Sequence, residues 1–193
     1  LKQDVDVLTM TATPIPRTLQ MSLTGLRDIS VIQTPPPGRR SIRTLIARFR
    51  KRVVEEAIRR EIKRGGQVFL LHNWVQSLPA VERFVRRVVP EARCGMAHGQ
   101  MGEKQLEKVM TDFVERKIDV LVCTSIIESG LDIPSANTIL INRADHFGLS
   151  QLLQIRGRVG RSGERAYAYF LIPSLAGITE EARKRLEVLS EFS

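Results

Sequence analysis

Apolar residues in this chain follow two alternating rhythms. The short runs VDVLTM, DISVIQ, QVFLLH, ARCGMAH, DVLVCTS, NTILINR and AYAYFLIP have the length and apolar content of buried strands. Between them lie stretches whose apolar residues recur every three or four positions, as on one face of a helix. Residues 51–64 carry Val54, Ile58 and Ile62 on one face and stop at Gly65-Gly66. Their other face spaces Glu55 to Arg59 and Glu56 to Arg60 as ion pairs. Leu78, Val81, Phe84, Val85 and Val88 make a second apolar face, and Leu106, Val109, Met110 and Phe113 a third. PRTLQMSLTGL reads as a further helical period, and SIRTLIARF as a short apolar run before the long helix. From Thr179, a suitable N-cap, EEARKRLEVLSEF begins a last helix, with Glu180–Lys184 and Glu181–Arg185 four residues apart. Such alternation predicts an α/β fold with a mostly parallel central sheet flanked by helices. TPPPGRRS is the one linker-like break, because three prolines forbid helix.

In an open parallel sheet, ligands gather at the carboxyl ends of the strands. The segments that follow strands here are TATPIPR, HNWVQS, AHGQM and TSIIESGLDIP. Thr11, Thr13, Asn73, His98, Gly99, Gln100, Thr124, Ser125 and Gly130 thus line one edge with hydroxyls, amides and exposed backbone donors. That chemistry holds a phosphodiester backbone without reading bases. Trp74, beside one strand end, suits either stacking on a base or packing; packing is the preferred reading.

A different chemistry is written in QLLQIRGRVGRSGER, residues 151–165. Read as a helix, it puts Gln154, Arg158 and Arg161 on one stripe and Leu152, Ile155 and Val159 on the next. Gly157 and Gly160 then leave room for a phosphate or another backbone beside two guanidinium forks. A solvated arginine face or a disordered Arg-Gly tract fits the same residues, although the interleaved leucines and Ile155 favour a packed segment. The chain has no glycine-rich phosphate loop ending in Lys-Ser or Lys-Thr, so any nucleotide cradle lies elsewhere.

Composition narrows the partners. The chain has 193 residues and a formal charge of +9, which favours a polyanion such as nucleic acid. Cys94 and Cys123 sit in strand-like runs and are expected as buried thiols in a reducing compartment. With no leader and no run of 18 apolar residues, a cytoplasmic protein is expected, without membrane contact. The opening LKQDVDVLTMTATP reads as the middle of an element, so a fragment is expected. His72, His98 and His146 lie far apart with no cysteine at zinc-ligand spacing, and no metal site is expected.

TATPIPRTL, AHGQM, VLVCTSIIESGLDIP and RADHFGLSQLLQIRGRVGRS, in that order, resemble motifs III to VI of the superfamily 2 helicases. Within them the chain is most similar to the branch shared by transcription-repair coupling factors and RecG-type branch-migration helicases. LRDISVIQTPPPGRRSIRT and IIESGLDIPSANTI lean toward the former. The resemblance implies a RecA-like three-layer lobe, the second of two that close on ATP and Mg2+, with the phosphate loop and magnesium ligands on the first. It also implies that residues 1–174 form this lobe, 1–40 leading in from its predecessor, and that 175–193 open a translocation-motif hairpin.

By the same resemblance, Arg158 and Arg161 are arginine fingers reaching the γ-phosphate, Gln154 opens their motif, and Gly130 and Asp132 meet nucleotide and ribose. Thr11 and Thr13 couple hydrolysis to DNA grip, Arg17 is a weaker contact, and Asn73, His98, Gln100 and Thr124 touch the DNA backbone. Arg185 matches the arginine on the first helix of the translocation motif. The implied protein is an ATP-driven translocase on double-stranded DNA that displaces stalled RNA polymerase, with polymerase and repair proteins bound by other domains; this lobe alone is expected to be inactive. A RecG-type fork-remodelling lobe and a non-catalytic nucleic-acid-binding module are the alternatives.

Overall fold

The computed structural model describes Ser30 and residues 41–125 and 133–191. The runs VDVLTM, PRTLQMSLTGL and DISVIQ, and nearly all of TPPPGRRS, lie outside the described residues. Among the described residues, six strands alternate with five α-helices. The strands are β1 (Arg43–Arg48), β2 (Gln67–Leu71), β3 (Cys94–Ala97), β4 (Val120–Cys123), β5 (Ala136–Asn142) and β6 (Tyr167–Ile172). The helices are α1 (Lys51–Lys63), α2 (Leu78–Val88), α3 (Glu103–Val114), α4 (Leu149–Arg156) and α5 (Glu180–Glu191). The strands form one sheet in the order β1-β6-β5-β2-β4-β3, and every neighbouring pair is parallel.

Three layers follow from the two-residue period of the strands. Phe69, Leu71, Leu121, Cys123, Ile139 and Ile141 point to one side, where Phe113 of α3, Leu152 and Ile155 of α4, and Leu186 and Leu189 of α5 close the core. Val68, Leu70, Val120, Val122 and Leu140 point to the other, against Val54 and Ile58 of α1 and Leu78, Val81 and Val85 of α2. Strands covered on both faces read as unbroken apolar runs, which explains QVFLL and VLVC. Full burial of a leucine or valine contributes about 1.5–3 kcal/mol. Each helix face therefore contributes several times the worth of any surface ion pair.

Buried polar groups at the strand starts are paired. Gln67 Nε2 donates to the carbonyls of Phe113 and Ile118, at 2.7 and 2.6 Å, and Ser135 Oγ donates to Gln67 Oε1. The Gln67 side chain so ties β2 to the end of α3 and to the turn before β5. The two cysteines are buried free thiols on adjacent strands, and burial pushes Cys94 up to about 11 and Cys123 higher still.

Ion pairing departs from the spacing expected at two places. Glu55 does meet Arg59 (3.4 Å), but Glu56 pairs with Arg52 (2.7 Å). Arg60 instead lays its guanidinium over the Tyr167 ring of β6, 3.4 Å from the centroid. On α5 the Ala182 N–H donates to Thr179 Oγ1 (3.2 Å), so Thr179 is the N-cap. Glu181 approaches Arg185 at 4.0 Å, while the closer pair is Arg183 with Glu187 at 3.0 Å; Glu180–Lys184 is not among the ion pairs of the described residues.

Candidate functional site

Because all ladders are parallel, every strand ends at the same edge of the sheet. Leu71, Cys123 and Ala97 stand in register across β2, β4 and β3, and Ile141 of β5 is level with Leu71. The next residue on each strand therefore forms a row, Asn142, His72, Thr124 and His98, with strands about 4.8 Å apart. Backbone bonds lock it: the His72 N–H donates to the Cys123 carbonyl (2.8 Å) and the Thr124 N–H to the Ala97 carbonyl (3.2 Å). Thr124 is buried, Ser125 and His98 are half-buried, and Asn73, Gly99 and Gln100 are exposed just beyond. Among the described residues His98 Nδ1 has no hydrogen-bond partner although it is buried. The structure thus brings Asn73, His98, Gly99, Gln100, Thr124 and Ser125 to one edge. Thr11, Thr13, Arg17, Gly130 and Asp132 lie outside the described residues.

The arginine segment is not the continuous helix that its spacing implies. Helix α4 ends at Arg156, and Gly157 caps it with its N–H on the Leu153 carbonyl (3.0 Å). Gly160 then adopts φ +79°, a left-handed conformation that stops any helix and favours glycine. A Cβ there would lie 3.0 Å from Ala166 Cβ and 3.1 Å from Ile42 Cγ1. The glycine is wanted for a backbone turn against the chain's own strand starts. Val159 nevertheless buries fully beside Leu152 and Ile155, so the apolar stripe survives without the helix. Gln154 is exposed on the last turn of α4, while Arg158, half-buried, and Arg161, exposed, are carried on the loop. Ser162 Oγ donates to Asn137 Oδ1 (2.7 Å) at the start of β5, pinning the loop to the edge opposite the row. Two candidate sites therefore occupy opposite ends of the strands.

A third cluster was not singled out by sequence reasoning. Arg143, just past β5, has φ +56°, in the left-handed region, and its guanidinium grips the Asp145 carboxylate (2.9 Å). Arg143 Nη2 also donates to His146 Nε2. From α5, Arg185 Nη2 donates to the Asp145 carbonyl (3.3 Å). Trp74 packs on this cluster with 40% of its surface exposed, so of the rim and core positions that packing allows it takes the rim. Its ring lies 5.2 Å from His72 and 5.3 Å from His146. The strand-end rule, extended from TATPIPR, HNWVQS, AHGQM and TSIIESGLDIP to NTILINR, also points to Asn142, Arg143 and His146.

Among the described residues no group of three or more histidines, cysteines or acids could hold a metal ion, and no helix is long and apolar enough to cross a membrane.

Residues 50–163 match the model of the helicase conserved C-terminal domain. The chain belongs to that family. The helicase C-terminal domain match takes in the edge row, the Arg143 cluster and the arginine loop. Over 192 residues the chain is 62% identical to the transcription-repair-coupling factor of Myxococcus xanthus and 53% to that of Escherichia coli (strain K12). All of this chain is covered in both, but only 16% and 17% of those proteins, so it spans about one-sixth of the curated relatives it matches. A structure of RecG bound to a three-way DNA junction superposes with TM-score 0.76 at 36% identity, over 93% of this chain and 24% of that one. Yeast Dbp5 bound to RNA and ADP BeF3 shares the fold at 13% identity, TM-score 0.63, over 94% of this chain and 47% of that one. The chain forms the expected RecA-like helicase lobe, and the sheet of the described residues is parallel throughout where a mostly parallel one was expected.

Proposed function

We propose that this helicase C-terminal domain is the second motor lobe of an ATP-driven translocase on double-stranded DNA, of the transcription-repair coupling kind. The observation that carries the reading is the separation of its two polar edges. A loop bearing Arg158 and Arg161 and a row of backbone-contact residues sit at opposite ends of one rigid parallel sheet. Such a body can take a nucleotide phosphate at one end and a DNA phosphate at the other, and turn closure at the first into displacement at the second. Identity of 62% and 53% to coupling factors, against 36% to the RecG chain, supports the coupling-factor job over fork remodelling.

In this reading residues 1–174 are the lobe, 1–40 lead in from the first lobe, and 175–193 begin the translocation motif. ATP binds with Mg2+ held by the first lobe. Arg158 and Arg161 aim positive charge at the γ-phosphate where negative charge develops, an effect worth about 10³–10⁵ in rate. Gln154, at the end of α4, meets the same phosphate, and Gly130 and Asp132 meet the nucleoside. Asn73, His98, Gly99, Gln100, Thr124 and Ser125 hold DNA phosphates, with Thr11, Thr13 and Arg17 adding grip. RNA polymerase and repair proteins would be reached by other parts of the protein, which we assign to the cytoplasm.

The test is ATP turnover with and without duplex DNA, for this chain and for one extended to include the first lobe. Silence in the first and DNA-stimulated turnover in the second is the expected result. Silence in both would indicate a non-catalytic binding module.

A further inference from the structure

We propose that Trp74, framed by His72, His146 and Arg143, is a binding surface for the apolar face of a nucleotide, its base or its sugar. It would lie directly beside the phosphate-contact row. The proposal rests on the reading of that edge as a DNA surface and adds to it a contact that is not electrostatic.

The indole follows Asn73 at the end of β2 and is 40% exposed, the only large aromatic among the exposed apolar residues described. Leaving an indole in water forfeits the burial that a core site would give it. Its surroundings are built to hold it there. His72 is fixed through both ring nitrogens, Nε2 to Ser77 Oγ at 2.7 Å and Nδ1 to Asn142 Nδ2 at 3.0 Å. Ser77 Oγ in turn donates to the Trp74 carbonyl (3.3 Å). His146 meets the indole edge-on at 84°, and the Arg143 guanidinium stands 6.0 Å from the ring. Arg143 holds that position in a left-handed backbone that a non-glycine residue adopts only at a cost, when its surroundings enforce it. A ring held by three polar neighbours has little rotational freedom left to lose on binding.

The Arg143 guanidinium, its charge shared with Asp145, stands 6.0 Å from the ring, and the exposed Asn73 amide precedes it in the chain, which suits a ligand that is polar along its backbone and apolar on its face. A nucleotide strand has both properties, and aromatic rings beside a cationic groove are how such strands are held without sequence preference. A neutral apolar peptide would make no use of the exposed Asn73 amide or of the polar row of strand ends beside it.

Trp74 is the only tryptophan of the chain, so its fluorescence reports the contact directly. The chain would be titrated with a thymidine homopolymer, an abasic strand of equal length and a duplex, with affinity measured in parallel by anisotropy of labelled DNA. Fluorescence is expected to fall on binding, Trp74→Ala to weaken affinity about tenfold and Trp74→Phe to retain most of it. The slope of log affinity against log salt is expected to stay unchanged in Trp74→Ala, because no phosphate contact is lost. A homopolymer that quenches more than the abasic strand identifies the base as the partner, and equal quenching the sugar. If the parent binds DNA with unchanged fluorescence and Trp74→Ala binds equally well, the platform is refuted while the edge reading stands. If the parent binds none of the three, the edge reading fails and the platform fails with it.

Discussion

Arg185 of α5 donates a hydrogen bond to the carbonyl of Asp145, in the turn that follows β5. This contact joins the last helix to the edge of the sheet. The same Asp145 receives Arg143, and Arg143 stands over Trp74, so an uninterrupted chain of contacts runs from α5 to the row of strand ends.

Removing that link has two expected effects. Arg185→Ala loses a half-buried charged hydrogen bond and should lower stability by about 1–2 kcal/mol, read from denaturant midpoints. In the protein that includes the first lobe, it should leave DNA-stimulated hydrolysis largely intact while movement along DNA, followed by triplex displacement, fails. Hydrolysis and movement lost in equal proportion would instead make Arg185 part of the hydrolytic machinery.

Arg158→Ala and Arg161→Ala, in the same two-lobe protein, should each lower ATP turnover by about 10³ or more. Duplex affinity should be nearly unchanged, since the loop is pinned at the edge opposite the row of strand ends proposed to hold DNA. Steady-state turnover and anisotropy on the same preparations separate these outcomes. Turnover at the parent rate would remove the finger assignment.

Gly160→Ala tests the backbone turn without touching a charge. The left-handed φ disfavours any L side chain by about 1–2 kcal/mol, and the new methyl would press on Ala166 and Ile42. A melting temperature several degrees lower is expected. Gly163→Ala, where a Cβ would meet open space, should melt with the parent.

His72 gives stability a pH dependence. Asn142 Nδ2 can only donate, so the His72 ring is neutral with its proton on Nε2, and burial lowers its pKa below the ordinary 6.5. The unfolded chain therefore binds a proton that the folded chain resists. Stability should be level above about pH 6.5 and decline as the pH falls below it, until the folded-state pKa is passed. Urea midpoints from about pH 8 to about pH 5 would show this, and His72→Gln should flatten the decline.

Sequence was most informative where one physical rule dominates. Alternating burial on strands and the three-to-four period on helices located β2, β4, β5, α1, α2 and α3 within a residue or two, because both faces of the sheet are covered. The strand-end rule put Asn73, His98 and Thr124 on one edge for the same reason: parallel pairing leaves no other place for them. Helical spacing failed at Arg158 and Arg161 because one left-handed glycine outweighs the propensity of its neighbours, and a positive φ leaves no periodic trace. The pairing of Glu56 was misread because Arg60 finds a tyrosine face from a strand far along the chain. Whether Trp74 packs at the rim or in the core was not legible for a similar reason, since its exposure is decided by His146 and Arg143, which no local pattern connects to it.

The position of β1 carries a consequence for how the protein is made. Among the described residues it lies at the edge of the sheet and pairs only with β6, the sixth strand described. Until β6 is made, β1 has no partner among the other described strands, and its hydrogen-bonding groups and the apolar side chains of RTLIAR lack that cover. A ribosome-bound chain that has reached α4 can complete the pairings among β2, β3, β4 and β5, but it cannot yet give β1 its β6 partner. Chaperone recognition and proteolytic nicking during synthesis should therefore concentrate on residues 43–48, and cease once Tyr167 to Ile172 have emerged.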